Sequence, residues 1–272
     1  MASPLPPSGL LDRIGLWIIG AIAVFAMVLL FLPSLVVLII SFDTRRYVSF
    51  PPEGFTFDWY RQVFQHEAVV EGMLNSLQVG VTVTLLCILL GVPTALVCAR
   101  GAFRGVGALS VFVMIPHMVP GIVLGIAVLF AGAYVKVGPS ITLQSVSITV
   151  YVLAVMVRTV TSRLQRLDPQ LDEAAANLGA TPFQTLRSVT LPLLMPAILA
   201  GAVFTFVEGF DNISVAIFTH GFHQRPLPVE LITLVTQTNT PLVAAVSGVQ
   251  IVLAVGALWV ISRTIGLDKV SQ

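Results

Sequence analysis

The sequence predicts an all-α integral membrane protein: six transmembrane helices, with a cytoplasmic helix-turn-helix between the fourth and the fifth. Three observations predict it. Hydrophobic residues make up 56% of the chain and charged ones 10%, against about a quarter charged in a domain that faces water on all sides. The apolar residues fall in continuous runs rather than alternating, and a helix needs roughly 20 of them to cross the hydrocarbon. Only helices and closed barrels satisfy the backbone there, and unbroken runs select helices. The third observation is a polar stretch of about thirty residues, 163–192, whose local signals are those of two capped helices rather than of a loop.

The spans follow in order. The first covers about 16–40; it is too long for a signal-peptide core and no small-residue cleavage site follows it, so it is expected to be retained. Next comes a stretch with Phe50-Pro51-Pro52-Glu53-Gly54 and Phe57-Asp58-Trp59-Tyr60. Its aromatics suit a membrane interface, and it is expected to be partly helical, outside the membrane and along the bundle. The second span covers about 77–98 and contains both cysteines, Cys87 and Cys98, which read as small buried hydrophobes rather than a disulfide framework. The third covers about 109–134, the fifth about 193–218 and the sixth about 242–261. The fourth, about 141–157, is shorter and more polar, with Gln144, Ser145, Ser147, Thr149 and Tyr151. Lys and Arg mark the cytoplasmic side. With the N-terminus inside, nine (Arg13, Arg100, Arg104, Arg158, Arg163, Arg166, Arg187, Arg263, Lys269) lie in and five (Arg45, Arg46, Arg61, Lys136, Arg225) out, which places both termini in the cytoplasm.

In the polar stretch, Asp168-Pro169 has the form of a helix start, a carboxylate to cap free N–H groups before a proline suited to the first helical position. Leu171, Ala174, Ala175 and Leu178 then fall at i, i+3, i+4 and i+7, one apolar stripe. Gly179 follows as a residue able to take positive φ at little cost. Thr181 and Gln184 have the spacing of a capping box, and Leu191-Pro192 is expected to end the second helix. Two readings fit such a hairpin: it is tucked against its own bundle, or it offers a small-residue stripe to a partner.

Glu173-Ala174-Ala175, three residues, Gly179, nine residues, then Val189-Thr190-Leu191-Pro192 resembles the EAA loop of type I ATP-binding-cassette importer permeases, with valine in place of isoleucine. The resemblance runs from about the first span to the C-terminus. Within the family it is greatest to the spermidine/putrescine group, on Gly54-Phe55-Thr56, Trp59-Tyr60 and Leu227-Pro228-Val229, while Ile115 to Gly121 reads more like iron, sulfate or phosphonate permeases. It implies a bacterial inner-membrane protein in which Glu173, Ala174, Ala175 and Gly179 seat the hairpin in a groove of an ATPase, with Asp172 and Arg187 adding polar links at the rim. It further implies a second permease subunit in a heterodimer, two cytoplasmic ATPase subunits and an extracytoplasmic solute-binding protein.

Energy must come from elsewhere, since the only lysines are Lys136 and Lys269, neither follows a glycine, and a phosphate-binding loop needs Gly-Lys-[Ser/Thr]. ATP and Mg²⁺ belong, by the resemblance, to the partner ATPase, and no cofactor is expected on this chain. A net charge of +1 without a basic run gives no sign of a nucleic-acid partner; lipid is the surrounding phase. His220 and His223 lack a third metal ligand and fit a wet outer loop.

Within the spans, Glu208 and Asp211 lie at i, i+3 on one face of the fifth, beside Asn212. Charges at membrane depth are costly and face a cavity or a partner. They therefore either line the translocation path and attract an amino group, or serve the structure, with Asp211 capping a break or pairing with a neighbour. The spermidine/putrescine group carries Asp-Asp where this chain has Asp211-Asn212. His117, between Pro116 and Pro120, either lines the path at a distorted helix or is hydrogen-bonded between helices. A rival function, a gradient-driven carrier using Glu208 and Asp211 as ion sites, would commonly show inverted repeats, and none is evident. A membrane-embedded enzyme lacks any nucleophile–base pair.

Overall fold

The computed structural model describes residues 10–101 and 104–264, and all the regular structure among them is helical. Lys269, counted among the cytoplasmic cations, lies outside the described residues. The chain forms two compact units, one taking in residues up to Val63 together with Thr238–Val249, the other Phe64–Gln237 and the chain from Gln250 onward.

In the first unit, α1 (Leu10–Ile40) is an uninterrupted helix despite Pro33. The most apolar stretch of α1 has no buried residue, and Trp17, Phe25, Leu30 and Phe31 are exposed. The segment after it is a folded loop. Asp43, fully buried, accepts from Arg45 Nε at 2.9 Å and from the backbone N–H groups of Arg45 at 3.3 Å and Glu53 at 3.2 Å. Burial alone would raise its pKa, but these hydrogen bonds and the Arg45 charge hold the carboxyl below its usual range. Trp59 Nε1 donates to the Asp43 carbonyl at 2.7 Å, Tyr60 and Ser41 share a hydroxyl contact of 2.8 Å, and Val48 N–H reaches Asn239 O at 3.2 Å. Helix α2 (Asp58–Gln65) starts here, so the expectation of a partly helical stretch holds.

The second unit is built on α3 (Glu67–Arg100), α6 (Ile141–Leu164) and α9 (Leu191–Asp211). Their facing residues make one core: Val79, Val83 and Cys87 of α3, Ile148, Val152 and Met156 of α6, Leu194, Ile198 and Ala202 of α9. Lipid tails are as apolar as these side chains, so such helices associate by close packing, for which small residues at the crossing are needed. A Cβ on Gly209 would lie 2.9 Å from the Cα of Gly80, so α9 and α3 touch backbone to backbone. Gln144, Ser145, Ser147 and Thr149 of the fourth span are buried: the hydroxyls of Ser145, Ser147 and Thr149 each donate to a carbonyl one turn back, at 2.7, 2.5 and 2.7 Å.

Several boundaries differ from the sequence expectation. The second span begins at Glu67, not near Leu77, because Glu67, Glu71 and Asn75 extend the helix beyond its apolar part. The third is not one helix: α4 (Val106–Met118) and α5 (Gly121–Tyr134) meet at 101°. Pro120 lacks an N–H and forces the preceding Val119 into an extended conformation, φ −78° and ψ 135°. The fourth runs on to Leu164. The fifth breaks after Asp211, where Asn212 is extended and its Oδ1 accepts from Val215 N–H at 3.0 Å, starting α10 (Ile213–Thr219). The cap at the break is thus Asn212, not Asp211. An unforeseen helix, α11 (Leu227–Gln237), precedes α12 (Leu242–Thr264). Among the described residues four helical runs are long and apolar enough to span a membrane, and the bent α4–α5 pair makes a fifth; the apolar part of α12, Leu242–Ala257, is shorter.

Candidate functional site

The polar stretch folds as two capped helices. Asp168 Oδ1 accepts from Gln170 N–H at 2.9 Å and opens α7 (Gln170–Asn177). Gly179 takes φ +86°; the N–H of Ala180 bonds to Ala175 O at 3.0 Å and that of Gly179 to Ala176 O at 2.9 Å, the paired bonds of a Schellman stop. Thr181 and Gln184 then form the capping box in both directions, 2.8 and 3.4 Å, at the head of α8 (Pro182–Thr185). The second helix does not end at Leu191-Pro192. Leu191 N–H bonds to Leu186 O, five residues back, through a π turn at Leu186–Thr190, and the helical run continues into α9. Pro192 falls in the first turn after this register shift, where its missing N–H costs little.

No residue of α7 is buried. Leu171 and Leu178 are 43% and 89% exposed, Glu173, Ala174 and Gly179 are exposed and Ala175 half-buried, so the stripe is not consumed by the chain's own bundle. Arg187 is exposed as well. Asp172 is different. It ion-pairs with Arg100, the last residue of α3, and accepts from the Thr190 hydroxyl at 3.2 Å, so its carboxylate is held by the chain itself. The pairing of Arg100 and Thr190 with Asp172 carried no signal in the sequence, since the partners lie 72 and 18 residues away (172 − 100; 190 − 172).

At the end of α9, Asn212 Nδ2 donates to Glu208 Oε2 at 3.3 Å, while Asp211 Oδ1 accepts from Gln250 Nε2 of α12 at 2.5 Å. Both carboxylates are exposed, and among the described residues neither is ion-paired to a Lys or Arg. Asp211 is thus paired with a neighbour, though nothing in the sequence pointed to Gln250 as that neighbour. His117 lies at the end of α4, exposed, with Nδ1 3.0 Å from the Tyr151 carbonyl and its ring 5.1 Å from the Tyr151 ring. It is thus bonded between helices, next to the α4–α5 bend. The bend itself rests on the other break: a Cβ on Gly121 would meet Ser214 Cβ at 2.8 Å. Among the described residues no group of three or more His, Cys, Asp or Glu is placed to hold a metal ion.

A helical membrane chain with an exposed, tightly stopped hairpin and carboxylates at a broken span has the parts of a transport subunit. The chain belongs to the family of binding-protein-dependent transport system inner membrane components, whose profile matches residues 88–265. It is 31% identical over 238 residues to the spermidine/putrescine transport system permease protein PotC of Haemophilus influenzae, covering 87% of this chain and 91% of that one. It is 28% identical over 240 residues to the putrescine transport system permease protein PotI of Escherichia coli, covering 85% and 83%. Among solved structures, a chain of a bacterial ABC transporter involved in importing the acidic polysaccharide alginate matches with a TM-score of 0.71 at 15% identity, over 96% of this chain and 99% of that one, a likeness of fold. The chain is a permease subunit of an ATP-binding-cassette importer in the inner membrane, a transport component and not an enzyme.

Proposed function

We propose that this permease moves a polyamine or a related amine into the cytoplasm by alternating access. The observation that carries the cargo is the pair Glu208 and Asp211: two carboxylates with no Lys or Arg counter-ion among the described residues, exposed where a span breaks. Charges at that depth face a cavity, and two anionic groups one helical turn apart suit a cargo with spaced ammonium groups. Asn212, bonded to Glu208, and His117 at the second bend complete the path. The names of the relatives, both polyamine permeases, support the same cargo.

In this reading the membrane holds six spans, with α4–α5 as the third and α12 as the sixth, and both termini are cytoplasmic. A second permease subunit forms the other half of the pore, two ATPase subunits bind from the cytoplasm with their ATP and Mg²⁺, and a solute-binding protein delivers cargo outside, as the family description suggests. The exposed face of α7, with Glu173, Ala174, Ala175 and Gly179, seats in the ATPase, with Arg187 at its edge. ATP-driven closure draws the hairpins together and shifts the population from inward-open to outward-open, because ATP binds the closed ATPases better.

The test is uptake of labelled putrescine by the assembled transporter in liposomes. Glu208→Gln and Asp211→Asn should each raise KM about tenfold, the loss of one hydrogen bond to a charged group, with basal ATP hydrolysis retained. An unchanged KM in both variants would remove these carboxylates from the path.

A further inference from the structure

The polar junction beneath the hairpin has a function that the exposed face of α7 does not supply. We infer that Asp172 and Arg100 form a strut that transmits motion of the hairpin to the second span, so that they are positioning residues for transport and not contacts to the ATPase. The inference rests on the importer reading above.

The geometry is specific. Asp172 sits in the first turn of α7, Arg100 is the final residue of α3, and Thr190 closes the π turn that leads into α9. One carboxylate therefore ties three elements: its two oxygens are divided between the Arg100 guanidinium and the Thr190 hydroxyl. Each charge also lies at the helix end that favours it, acidic at an N-terminus and basic at a C-terminus. Apolar packing cannot do the same work, because α7 has no buried residue and a cavity lies behind it, lined by Arg100, Asp172, Ala176, Ala180, Thr185 and Thr190. A hairpin pushed from outside would move into that cavity unless its wall held it off. The ion pair, with side chains 37% and 30% exposed, forms part of that wall and joins α7 to α3. Thr190 is buried and the α8–π turn–α9 run is continuous, so the fifth span is already linked covalently to the hairpin; the strut adds the second span.

The experiment compares solute transported per ATP hydrolysed in liposomes holding the complete transporter with Asp172→Asn, Arg100→Gln, Arg100→Lys and the exchange Asp172→Arg with Arg100→Asp. The two neutral variants should still co-purify with the ATPase and hydrolyse ATP, yet transport about tenfold less per ATP, the size of effect found for residues along a coupling route. Arg100→Lys should retain most of the ratio, and the exchange should recover a large part of what the single changes lose. The strut is overturned by native ratios in both neutral variants. Loss of ATPase binding in Asp172→Asn would also overturn it, making Asp172 an interface residue, as would an exchange no better than the single changes. The unmodified transporter separates this from the underlying reading: if it takes up solute without ATP, the importer reading fails, whereas ATP-dependent uptake with unaltered strut variants removes the strut alone.

Discussion

Gly179 offers a graded perturbation of the hairpin. It holds φ at +86°, and a Cβ placed there meets no atom within 4 Å, so alanine introduces no clash and the whole cost is backbone conformation. An L-residue in the left-handed region costs about 1–2 kcal/mol, which corresponds to roughly 5- to 30-fold in an equilibrium constant. Asparagine tolerates that region and should cost less than alanine. Proline fixes φ near −65° and removes the N–H that bonds to Ala176 O, costing about 3 kcal/mol or more. If the ATPase binds only the stopped hairpin, the apparent Kd rises as the competent fraction falls. The assay is ATPase binding to the permease pair held in lipid nanodiscs, with the expected order Gly, Asn, Ala, Pro from tightest to weakest. Equal affinity for the Ala and Pro variants and the parent, or Asn weaker than Ala, would refute the claim that the turn at Gly179 sets the binding surface.

Other consequences follow from the packing and the outer loop. Gly209→Ala should cost about 1–3 kcal/mol of stability, as overpacking does, because the new methyl meets the α3 backbone at Gly80 Cα; Gly201→Ala should cost less, since its obstacle, Met156 Sδ at 2.5 Å, belongs to a flexible side chain. Melting in detergent checks the order, and a less stable Gly201→Ala variant would contradict it. Asp43 has a depressed pKa, so its contribution is present above the ordinary carboxyl value of 3.8 and is lost only as pH falls through the lower folded value. In a background with Trp17 and Trp259 replaced by Phe, Trp59 fluorescence should stay constant from neutral pH down to about 4 and change below it. Asp43→Asn should show the altered signal already at neutral pH, and an identical spectrum for that variant would dismiss the network.

The hairpin was the most legible part of the sequence because its signals are local. Asp168, Gly179, Thr181 and Gln184 each act on backbone groups within a few residues, and each does so in the structure. The bend at Val119–Pro120 was half legible: two prolines flagged distortion, but both could have sat within a kinked helix, as Pro116 does. The break near Asn212 was half legible as well: a break capped by Asp211 was one alternative, but adjacent Asp and Asn both suit a cap, and the residues did not tell which would take it. Where the outcome depends on a distant partner, the residues gave no sign. Asp172 turns inward because Arg100 closes the far end of another helix, Asp211 is held by Gln250, and the π turn at Leu186–Thr190 reflects how α8 joins α9. The role first expected of Asp172, a polar link at the rim, gave no hint of the pairing with Arg100.

The most direct test is uptake of labelled putrescine into liposomes that contain this chain with its partner permease and ATPase subunits, with binding protein and cargo on one side and ATP on the other. The account predicts uptake that requires both ATP and the ATPase subunits, and that the binding protein stimulates. Uptake by this chain alone, driven by an ion gradient and indifferent to ATP, would contradict it.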